Sequence, residues 1–257
     1  MIVALALATL AVLTDTTPVP AAPRPSWDAR LTHTHEWISF TSSDRSETRL
    51  RVGRRVGRGS LGMDIVRVRD LRGSGSGVGA EAYLPLWRLG EGFLRVAASS
   101  GEISTPELEV GGEVLQHVHP AWSVGAGGWH REYELTTLRL ANLVIGHSSG
   151  EWDLRARAGV VLTDEETVPI GHIIARRHVG ARGSHVEGVV AAGNDVLDFV
   201  PDVGGGLDVL ATPTFHGALR GRIAVGAAIS VLLGGGYSVM REYGERLRLE
   251  VGLARDW

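Results

Sequence analysis

The sequence predicts an all-β fold, a closed antiparallel transmembrane β-barrel of about twelve to fourteen strands, with fourteen as the preferred count. Three observations support this prediction: apolar residues recur at every second position after Trp27, most alternating segments have about 9–13 residues, and glycine-rich connections separate them. A transmembrane strand needs about 9–11 residues, whereas strands of soluble proteins have mostly about 5–6. We therefore expect the segments to close into one barrel.

The strands are assigned from this alternation. In the segment 152–162 (WDLRARAGVVL), one face carries Trp152 and Leu154, while the other begins with Asp153 and Arg155. A helix with this pattern would spread its charges around its whole surface, so the pattern indicates a strand. The predicted strands are residues 30–40, 47–57, 61–70, 76–87, 91–99, 107–117, 121–131, 135–147, 151–163, 168–179, 184–193, 207–219, 222–233 and 246–257.

The first residues indicate export. Residues 2–13 are uncharged and mostly apolar, and Val19-Pro20-Ala21 fits the small-x-small cleavage site of a secretory signal peptide, although no Lys or Arg precedes the apolar run. We expect a signal peptide at 1–21, a lead-in at 22–29 and the barrel at 30–257. An N-terminal anchor or a buried helix is the alternative.

Composition excludes several classes of function. The 257-residue chain has no cysteine, which excludes thiolate catalysis, a Cys-ligated zinc site and disulfides. Its 26 basic residues are all arginine and nearly balance 29 acidic residues. The resulting net charge of −3 gives no reason to expect a nucleic-acid partner.

The connections alternate in length, and this alternation predicts the two ends of the barrel. Tight turns are expected after even-numbered strands, for example at Arg58-Gly59 and Leu89-Gly90. Longer polar loops are expected after odd-numbered strands, the longest at Asn194–Gly206 and Gly234–Glu245. Outer-membrane barrels have short periplasmic turns and longer outer loops, so the tight turns are assigned to the periplasmic side.

The same parity places the tryptophans and identifies one irregular strand. A β-bulge is expected within 61–70, because Met63 and Ile65 share one face while Val66 and Val68 lie on the other. Tryptophans at the two rims would form aromatic girdles. We expect Trp87, Trp122, Trp152 and Trp257 at the periplasmic rim. We expect Trp129 at the outer rim.

The C-terminal residues 250–257 (EVGLARDW) resemble the signal by which the outer-membrane barrel assembly machinery recognises its substrates. Glu250, Gly252 and Trp257 match that signal, while Arg255 stands where an aromatic or apolar residue is usual. The resemblance implies assembly by that machinery.

The middle of the chain resembles the YaiO family of outer-membrane β-barrel proteins, over roughly residues 105–195 and the C-terminus. The matches belong to a tryptophan-strand-glycine segment and to a glycine-x-tryptophan strand ending in arginine: Trp122, Gly127, Gly150, Trp152 and Arg157. His178 departs from the family's tyrosine, and the turn at Gly193-Asn194-Asp195 lacks its usual proline. The resemblance implies a barrel similar to the pore domains of exopolysaccharide exporters and supplies no catalytic residues.

Charged residues that alternate with the apolar face should point into the barrel, because a central lipid-facing arginine costs about 2–4 kcal/mol. They could form a ring that attracts anionic solutes such as acidic sugars or phosphates, or an internal salt-bridge network with carboxylates such as Asp64 and Glu113. The near-equal numbers of acidic and basic residues favour the salt-bridge network. An open pore and a plugged interior are both compatible with the sequence. The candidates are Arg49, Arg51, Asp153, Arg155, Arg157, Arg246, Arg248 and Glu250.

An enzyme is the alternative function. His147-Ser148-Ser149 has the His-x-Ser pattern with which outer-membrane lipid acyl-hydrolases place base and nucleophile on one strand face. In such an enzyme Ser149 would be the nucleophile, His147 its base and Glu151 the orienting carboxylate. The parity, however, puts this triplet in a periplasmic turn, where Ser-Ser-Gly is ordinary turn chemistry.

Metal and phosphate sites are weakly indicated. The pairs His33 and His35, and His117 and His119, would each share a strand face and could together bind Zn²⁺ or Cu²⁺, but no third ligand follows from the sequence. The glycine runs at 73–77 and 204–206 open no helix, so they are interpreted as loops rather than phosphate cradles.

The sequence as a whole predicts an outer-membrane barrel of structural or pore type, linked to passage of anionic saccharide or exopolysaccharide. We expect no catalysis, no cofactor and no bound metal. The expected partners are outer-membrane lipid, the barrel assembly machinery and an anionic saccharide, with no nucleic acid. A soluble secreted β-domain is the alternative fold.

Overall fold

The computed structural model describes residues 26–39, 43–70, 73–100, 105–133, 137–163, 167–180, 183–194, 213–240 and 244–257. The predicted signal peptide and most of the predicted loop Asn194–Gly206 lie outside these ranges. Within them, no helix is both long and apolar enough to cross a membrane. The strands are β1 (Trp27–Ile38), β2 (Ser43–Val56), β3 (Gly59–Arg69), β4 (Ser74–Trp87), β5 (Gly90–Ser100), β6 (Leu108–His119), β7 (Trp122–Glu132), β8 (Thr137–Ser149), β9 (Trp152–Leu162), β10 (Thr167–His178), β11 (His185–Asn194), β12 (Pro213–Ala224), β13 (Ile229–Met240) and β14 (Gly244–Asp256).

The strands form one closed antiparallel barrel. Each strand pairs with its neighbours in the chain, and β1 pairs with both β2 and β14. At the closing seam Leu31 lies opposite Leu253, and Trp27 and Trp257 exchange backbone hydrogen bonds of 2.8 and 3.0 Å. The predicted closed antiparallel barrel and its preferred count of fourteen strands are confirmed for the described residues. Closure pairs the backbone N–H and C=O groups within the sheet, as a spanning structure requires.

The two ends of the barrel differ in the length of their connections. We call the turn end the one that holds Ser26, Trp257 and the connections after even-numbered strands, such as 57–58 and 150–151. The loop end holds the connections after odd-numbered strands, of which 195–212 is the longest. The tight turns predicted at Arg58-Gly59 and Leu89-Gly90 are confirmed to within one residue, at 57–58 and 88–89, and the turn after β12 lies at 225–228.

Two predicted strands are displaced along the chain. The alternation predicts strands at 207–219 and 222–233, whereas β12 and β13 lie at Pro213–Ala224 and Ile229–Met240. The predicted loop Gly234–Glu245 is therefore wrong in its first half, which belongs to β13. A Cβ at Gly234 would lie 3.0 Å from Cγ of Arg220, so the glycine makes space for a long side chain of the neighbouring strand. The sequence of the glycine run does not show that Arg220 packs beside it, so by its sequence the run is interpreted as a loop.

The bulge expected in β3 is also wrong. β3 keeps an unbroken register with β2 and β4, and Val66 and Val68 continue on the inward face, where both are buried. β3 carries apolar residues on its inward face near the loop end, so its alternation continues without a change of phase. Register shifts occur instead close to two turns, between Pro85 and Trp87 and between His117 and His119.

The outward face is apolar around the whole barrel. Each strand exposes at least one large apolar side chain: Leu31, Leu50, Met63, Val78, Leu94, Val114, Val124, Leu143, Leu154, Ile173, Val190, Leu219, Leu233 and Val251. A continuous apolar surface of this kind suits a hydrocarbon environment.

Tryptophans mark the turn end. The four tryptophans predicted there are exposed beside the turns, and Trp27 joins them. Trp129 lies three residues from the loop end of β7, but it faces inward and packs against the buried cluster of Leu138, Leu140 and Val161, so its predicted place in an outer girdle is wrong. Gly111 on β6 leaves the space for its indole ring, since a Cβ there would overlap the ring.

Candidate functional site

The inward face carries the charged residues that the sequence analysis identifies. The candidates stand at the positions of β2, β9 and β14 that alternate with exposed apolar side chains, and they are buried or half-buried. This holds for Arg49, Arg51, Asp153, Arg155, Arg157, Arg246, Arg248 and Glu250.

A run of ion pairs crosses the inward face from β12 to β2. Glu250 lies 3.7 Å from Nε of Arg220 and 3.9 Å from Nη2 of Arg248. Arg248 also lies 3.4 Å from Glu36, which accepts a hydrogen bond of 3.3 Å from Arg45. Each carboxylate lies between two guanidinium groups, and this compensates for its removal from water.

The same run continues from β2 to β5. Glu47 lies 3.8 Å from Arg45 and accepts a hydrogen bond of 3.1 Å from Arg49. Asp64 on β3 lies 3.6 Å from Arg49 and accepts a hydrogen bond of 2.6 Å from Arg95 on β5. Acidic and basic side chains therefore alternate along the run, both within a strand and between strands.

Glu109 on β6 completes the run. It accepts a hydrogen bond of 2.8 Å from Arg95 and lies 2.7 Å from Nε of Arg131 on β7. Most of the carboxylates were missed from the sequence, although they stand at the same alternating positions as the arginines, and that parity could have identified them. We call the ion-pair run Arg220, Glu250, Arg248, Glu36, Arg45, Glu47, Arg49, Asp64, Arg95, Glu109 and Arg131.

Glycines allow charged groups on non-adjacent strands to meet. Arg95 and Asp64 are separated by β4, and a Cβ at Gly79 of β4 would lie 2.7 Å from Oδ1 of Asp64 and 2.9 Å from Nη2 of Arg95. Gly234 of β13 lies in the same way between Arg220 and Glu250. Side chains at these positions would separate the pairs.

The opposite part of the wall is less charged. Arg157 of β9 reaches over β8 and β7 to Glu113 of β6, its Nε donating a hydrogen bond of 2.9 Å, and its Nη1 donates to Nε2 of His172 at 3.1 Å. The inward face of β8 to β11 also carries charged residues nearer the turn end, among them Arg155 and Arg176, whose Nη2 lies 2.7 Å from Glu187. Its buried apolar residues are Leu138, Leu140, Val144, Val161, Ile174 and Val189. The ion-pair run and these apolar residues therefore face each other across the interior.

Charged inward side chains near the two ends differ in exposure, although some residues near the turn end, such as Glu187 and Ser230, are buried. Near the loop end the side chains of Arg45 and Glu47 are 3% and 6% exposed. Nearer the turn end those of Arg51 and Asp153 are 22% and 46% exposed. Arg51 and Asp153 are thus accessible to solvent, whereas Arg45 and Glu47 are not.

β1 and β9 begin with the same pattern of residues. β1 starts Trp27-Asp28-Ala29-Arg30, and β9 starts Trp152-Asp153-Leu154-Arg155. In both strands the tryptophan points outward, while the aspartate and the arginine point inward. The two strands lie on opposite sides of the barrel, with β10–β14 between them on one side and β2–β8 on the other.

Arg30 and Arg155 have no carboxylate partner within the described ranges. The inward aspartates two residues before them are occupied by other groups: Asp28 accepts a hydrogen bond of 3.1 Å from Arg51, and Asp153 lies 2.7 Å from Nε2 of His178. The buried Nε of Arg30 also has no hydrogen-bond partner there. Sequence reasoning missed Arg30 because it started the strand at residue 30, and the repeated Trp-Asp-x-Arg was the signal that could have found it.

A cavity of about 240 Å³ opens at the turn end beside the start of β1. Asp28, Arg55, Arg58 and Tyr83 are among its lining residues. Its two arginines add positive charge at this end of the barrel.

The candidate hydrolase residues are not joined into a catalytic group. The ring of His147 stacks on Trp122 with centroids 4.4 Å apart, and its Nδ1 lies 3.3 Å from a backbone carbonyl oxygen. The Glu151 carboxylate lies 3.4 Å from Nη2 of Arg177. In the part of the chain that the structure describes, no hydrogen bond links His147 to Ser149 or to Glu151.

The histidine pairs are arranged differently from each other. His33 and His35 lie on the outward face of β1, as their spacing predicts. His117 and His119 do not share a face, because the β6 bulge sets them opposite two consecutive residues of β7. Among the described residues there is no group of three or more His, Asp or Glu side chains that could hold a metal ion.

The predicted assembly signal lies in the closing strand and just beyond it. Glu250 belongs to the ion-pair run, and Trp257 meets Trp27 at the seam. Gly252 allows close approach of β1, since a Cβ there would lie 2.6 Å from the carbonyl oxygen of Leu31.

The solved structures most relevant to this geometry are outer-membrane barrels. The CymD monoaromatic hydrocarbon channel has a TM-score of 0.62 and 10% identity, covering 91% of this chain and 89% of that one. A bacterial polysaccharide outer membrane secretin has a TM-score of 0.56 and 7% identity, covering 92% and 100%. The NanC porin has a TM-score of 0.52 and 9% identity, covering 89% and 100%. At these identities the likeness establishes the fold, that of outer-membrane β-barrels.

No family model and no curated protein sequence matches the chain. The resemblance to the YaiO family therefore stays a prediction from the sequence.

Proposed function

We propose that the chain is a narrow channel of an outer membrane for small anionic solutes, acidic saccharides among them, and that it catalyses no reaction. The observation that carries this proposal is the pair Arg30 and Arg155, inward arginines on opposite walls without carboxylate partners in the described ranges. A guanidinium group binds carboxylate, phosphate or sulfate through two parallel hydrogen bonds. An anion entering at the turn end would meet both.

The proposed location follows from the outward face. A complete apolar surface with exposed tryptophans at the turn end supports insertion in a bilayer. The turn end would then face the periplasm, as in barrels whose short turns lie on that side. Export by the 1–21 signal peptide, assembly by the barrel assembly machinery through Glu250, Gly252 and Trp257, and membership of the YaiO family belong to the same proposal.

The proposed passage is wide at the turn end and narrow at the loop end. Partly exposed charges such as Arg51 and Asp153 support a water-filled entrance, while the buried pairs around Arg45 and Glu47 support a constriction. We therefore expect a small conductance and discrimination by charge rather than free diffusion of large solutes.

Planar bilayers test the proposal. The purified protein should conduct, and in a potassium chloride gradient its reversal potential should show preference for chloride. The double variant R30Q/R155Q should lower the anion-to-cation permeability ratio by about fivefold, which corresponds to about 1 kcal/mol.

R67Q/R69Q is the matched control, because Arg67 and Arg69 are exposed arginines on the outward face of β3. It should leave the permeability ratio unchanged. A wild-type barrel that does not conduct, or that prefers cations, would overturn the proposal. Equal effects of the two double variants would remove Arg30 and Arg155 from it.

A further inference from the structure

Two tryptophan–arginine pairs lie side by side on the outward face at the turn end of the closing seam. Cζ of Arg54 lies 5.1 Å from the centre of the Trp27 ring, and Cζ of Arg255 lies 5.4 Å from the centre of the Trp257 ring. Backbone hydrogen bonds join the two tryptophans, so both pairs belong to one surface. We call Trp27, Arg54, Arg255 and Trp257 the seam patch.

The seam patch carries two positive charges that no carboxylate side chain neutralises in the described ranges. A third pair on the same rim is different: Arg177 lies 5.7 Å from the Trp152 ring centre, but Glu151 lies 3.4 Å from its guanidinium group. The carbonyl oxygen of Trp257 accepts hydrogen bonds from the backbone N–H of Trp27 and the hydroxyl of Ser26, which turns it towards the chain. Arg54 and Arg255 are both exposed, so their N–H groups are accessible from outside.

Aliphatic side chains continue from the seam patch towards the loop end. On β1, β2, β13 and β14 the neighbouring outward residues are Leu31, Val52, Ile229 and Leu253, all exposed. The surface thus changes from arginine and tryptophan to pure hydrocarbon within a few residues. A ligand that fits must have an anionic head and apolar chains, in that order.

We propose that the seam patch binds the phosphate of an anionic glycerophospholipid, whose acyl chains lie on the aliphatic wall beside it. The stacked tryptophans hold each guanidinium in place by one face, which leaves its N–H edge for the phosphate oxygens. This inference rests on the proposed bilayer location of the outward face. It is independent of whether the interior conducts.

Native mass spectrometry of the whole barrel, released from micelles that contain phosphatidylglycerol or phosphatidylethanolamine, tests the site. Wild type should retain phosphatidylglycerol in preference to phosphatidylethanolamine. The variant R54Q/R255Q should lose about tenfold in phosphatidylglycerol affinity, as expected when charge-assisted hydrogen bonds are removed. R67Q/R69Q, with two outward arginines at the opposite rim, should retain it.

Heat-dependent gel mobility checks that each variant is folded before its lipid binding is compared. Equal retention of both lipids by wild type, or unchanged retention by folded R54Q/R255Q, would overturn the site. If R54Q/R255Q does not fold, the single variants R54Q and R255Q should each lose part of the phosphatidylglycerol retention, and unchanged retention by both would overturn the site. Bilayer conductance of the same samples separates the two proposals, since a barrel that binds the lipid but does not conduct contradicts only the channel.

Discussion

Arg95 donates a hydrogen bond of 2.6 Å to Asp64 above Gly79, across a strand that contributes no side chain at that point. The two residues are 31 positions apart in the sequence and lie on strands that are not adjacent. Their contact links β3 to β5 independently of the backbone hydrogen bonds of the sheet. This ion pair therefore cross-links two strands that are not adjacent, and the two side chains can meet because Gly79 between them has no side chain.

A side chain at Gly79 should break this cross-link. In Gly79→Val the added Cβ would meet Asp64 and Arg95 at 2.7 and 2.9 Å, so both charges must move apart inside the barrel. We expect a loss of about 1–3 kcal/mol in the free energy of unfolding. The urea midpoint of the transition, followed by heat-dependent gel mobility, measures it.

Gly188→Val is the matched control for that change. Gly188 is also a strand glycine, but a Cβ there would meet no atom within 4 Å. The control should unfold at the wild-type midpoint. Equal destabilisation of the two variants would mean that strand glycines matter for backbone reasons alone.

Glu109 should be important for the stability of the ion-pair run. It lies between Arg95 at 2.8 Å and Arg131 at 2.7 Å, so Glu109→Gln leaves two guanidinium groups in the interior without their shared anion. Breaking a buried pair costs about 3–5 kcal/mol. The unfolding midpoint should fall accordingly, whereas exposed Glu107→Gln should leave it within about 0.5 kcal/mol of wild type.

The inward position of Trp129 can be tested by fluorescence. A variant that retains Trp129 as its single tryptophan should resist quenching by brominated lipids, because its ring packs inside against Leu140 and Val161. A variant that retains only Trp122, which is exposed at the rim, should be quenched strongly. Quenching of both to the same extent would put Trp129 on the outward face.

The absence of catalysis is a prediction with its own test. Since His147 stacks on Trp122 and makes no hydrogen bond to Ser149 within the described ranges, we expect Ser149→Ala and His147→Ala to leave any ester hydrolysis at the background rate of wild type. Fluorogenic phospholipid and acyl-ester substrates, supplied in detergent, provide the measurement. Hydrolysis by wild type that both substitutions abolish would identify an acyl-hydrolase instead.

The sequence by itself determined the strand class, the closed architecture and the inward direction of the charges. These follow from local rules: side chains alternate along a strand, and a charge that faces lipid is too costly to keep. The segments that contain Trp152 and Arg246 show this, because their arginines alternate with aliphatic residues along the strand. The first eleven strands were placed from that alternation within a few residues.

The tertiary structure decided which charges meet and where the alternation misleads. Arg157 donates a hydrogen bond to Glu113 across two intervening strands. The ring of Trp129 fits on the inward face because Gly111 on the neighbouring strand leaves space for it. Within the described residues Arg30 and Arg155 have no carboxylate partner, since Asp28 and Asp153 are engaged by Arg51 and His178. The alternation along one strand carries no information on which residues of other strands lie beside it. Register and closure supply that information, since they bring residues far apart in the chain onto one inner wall.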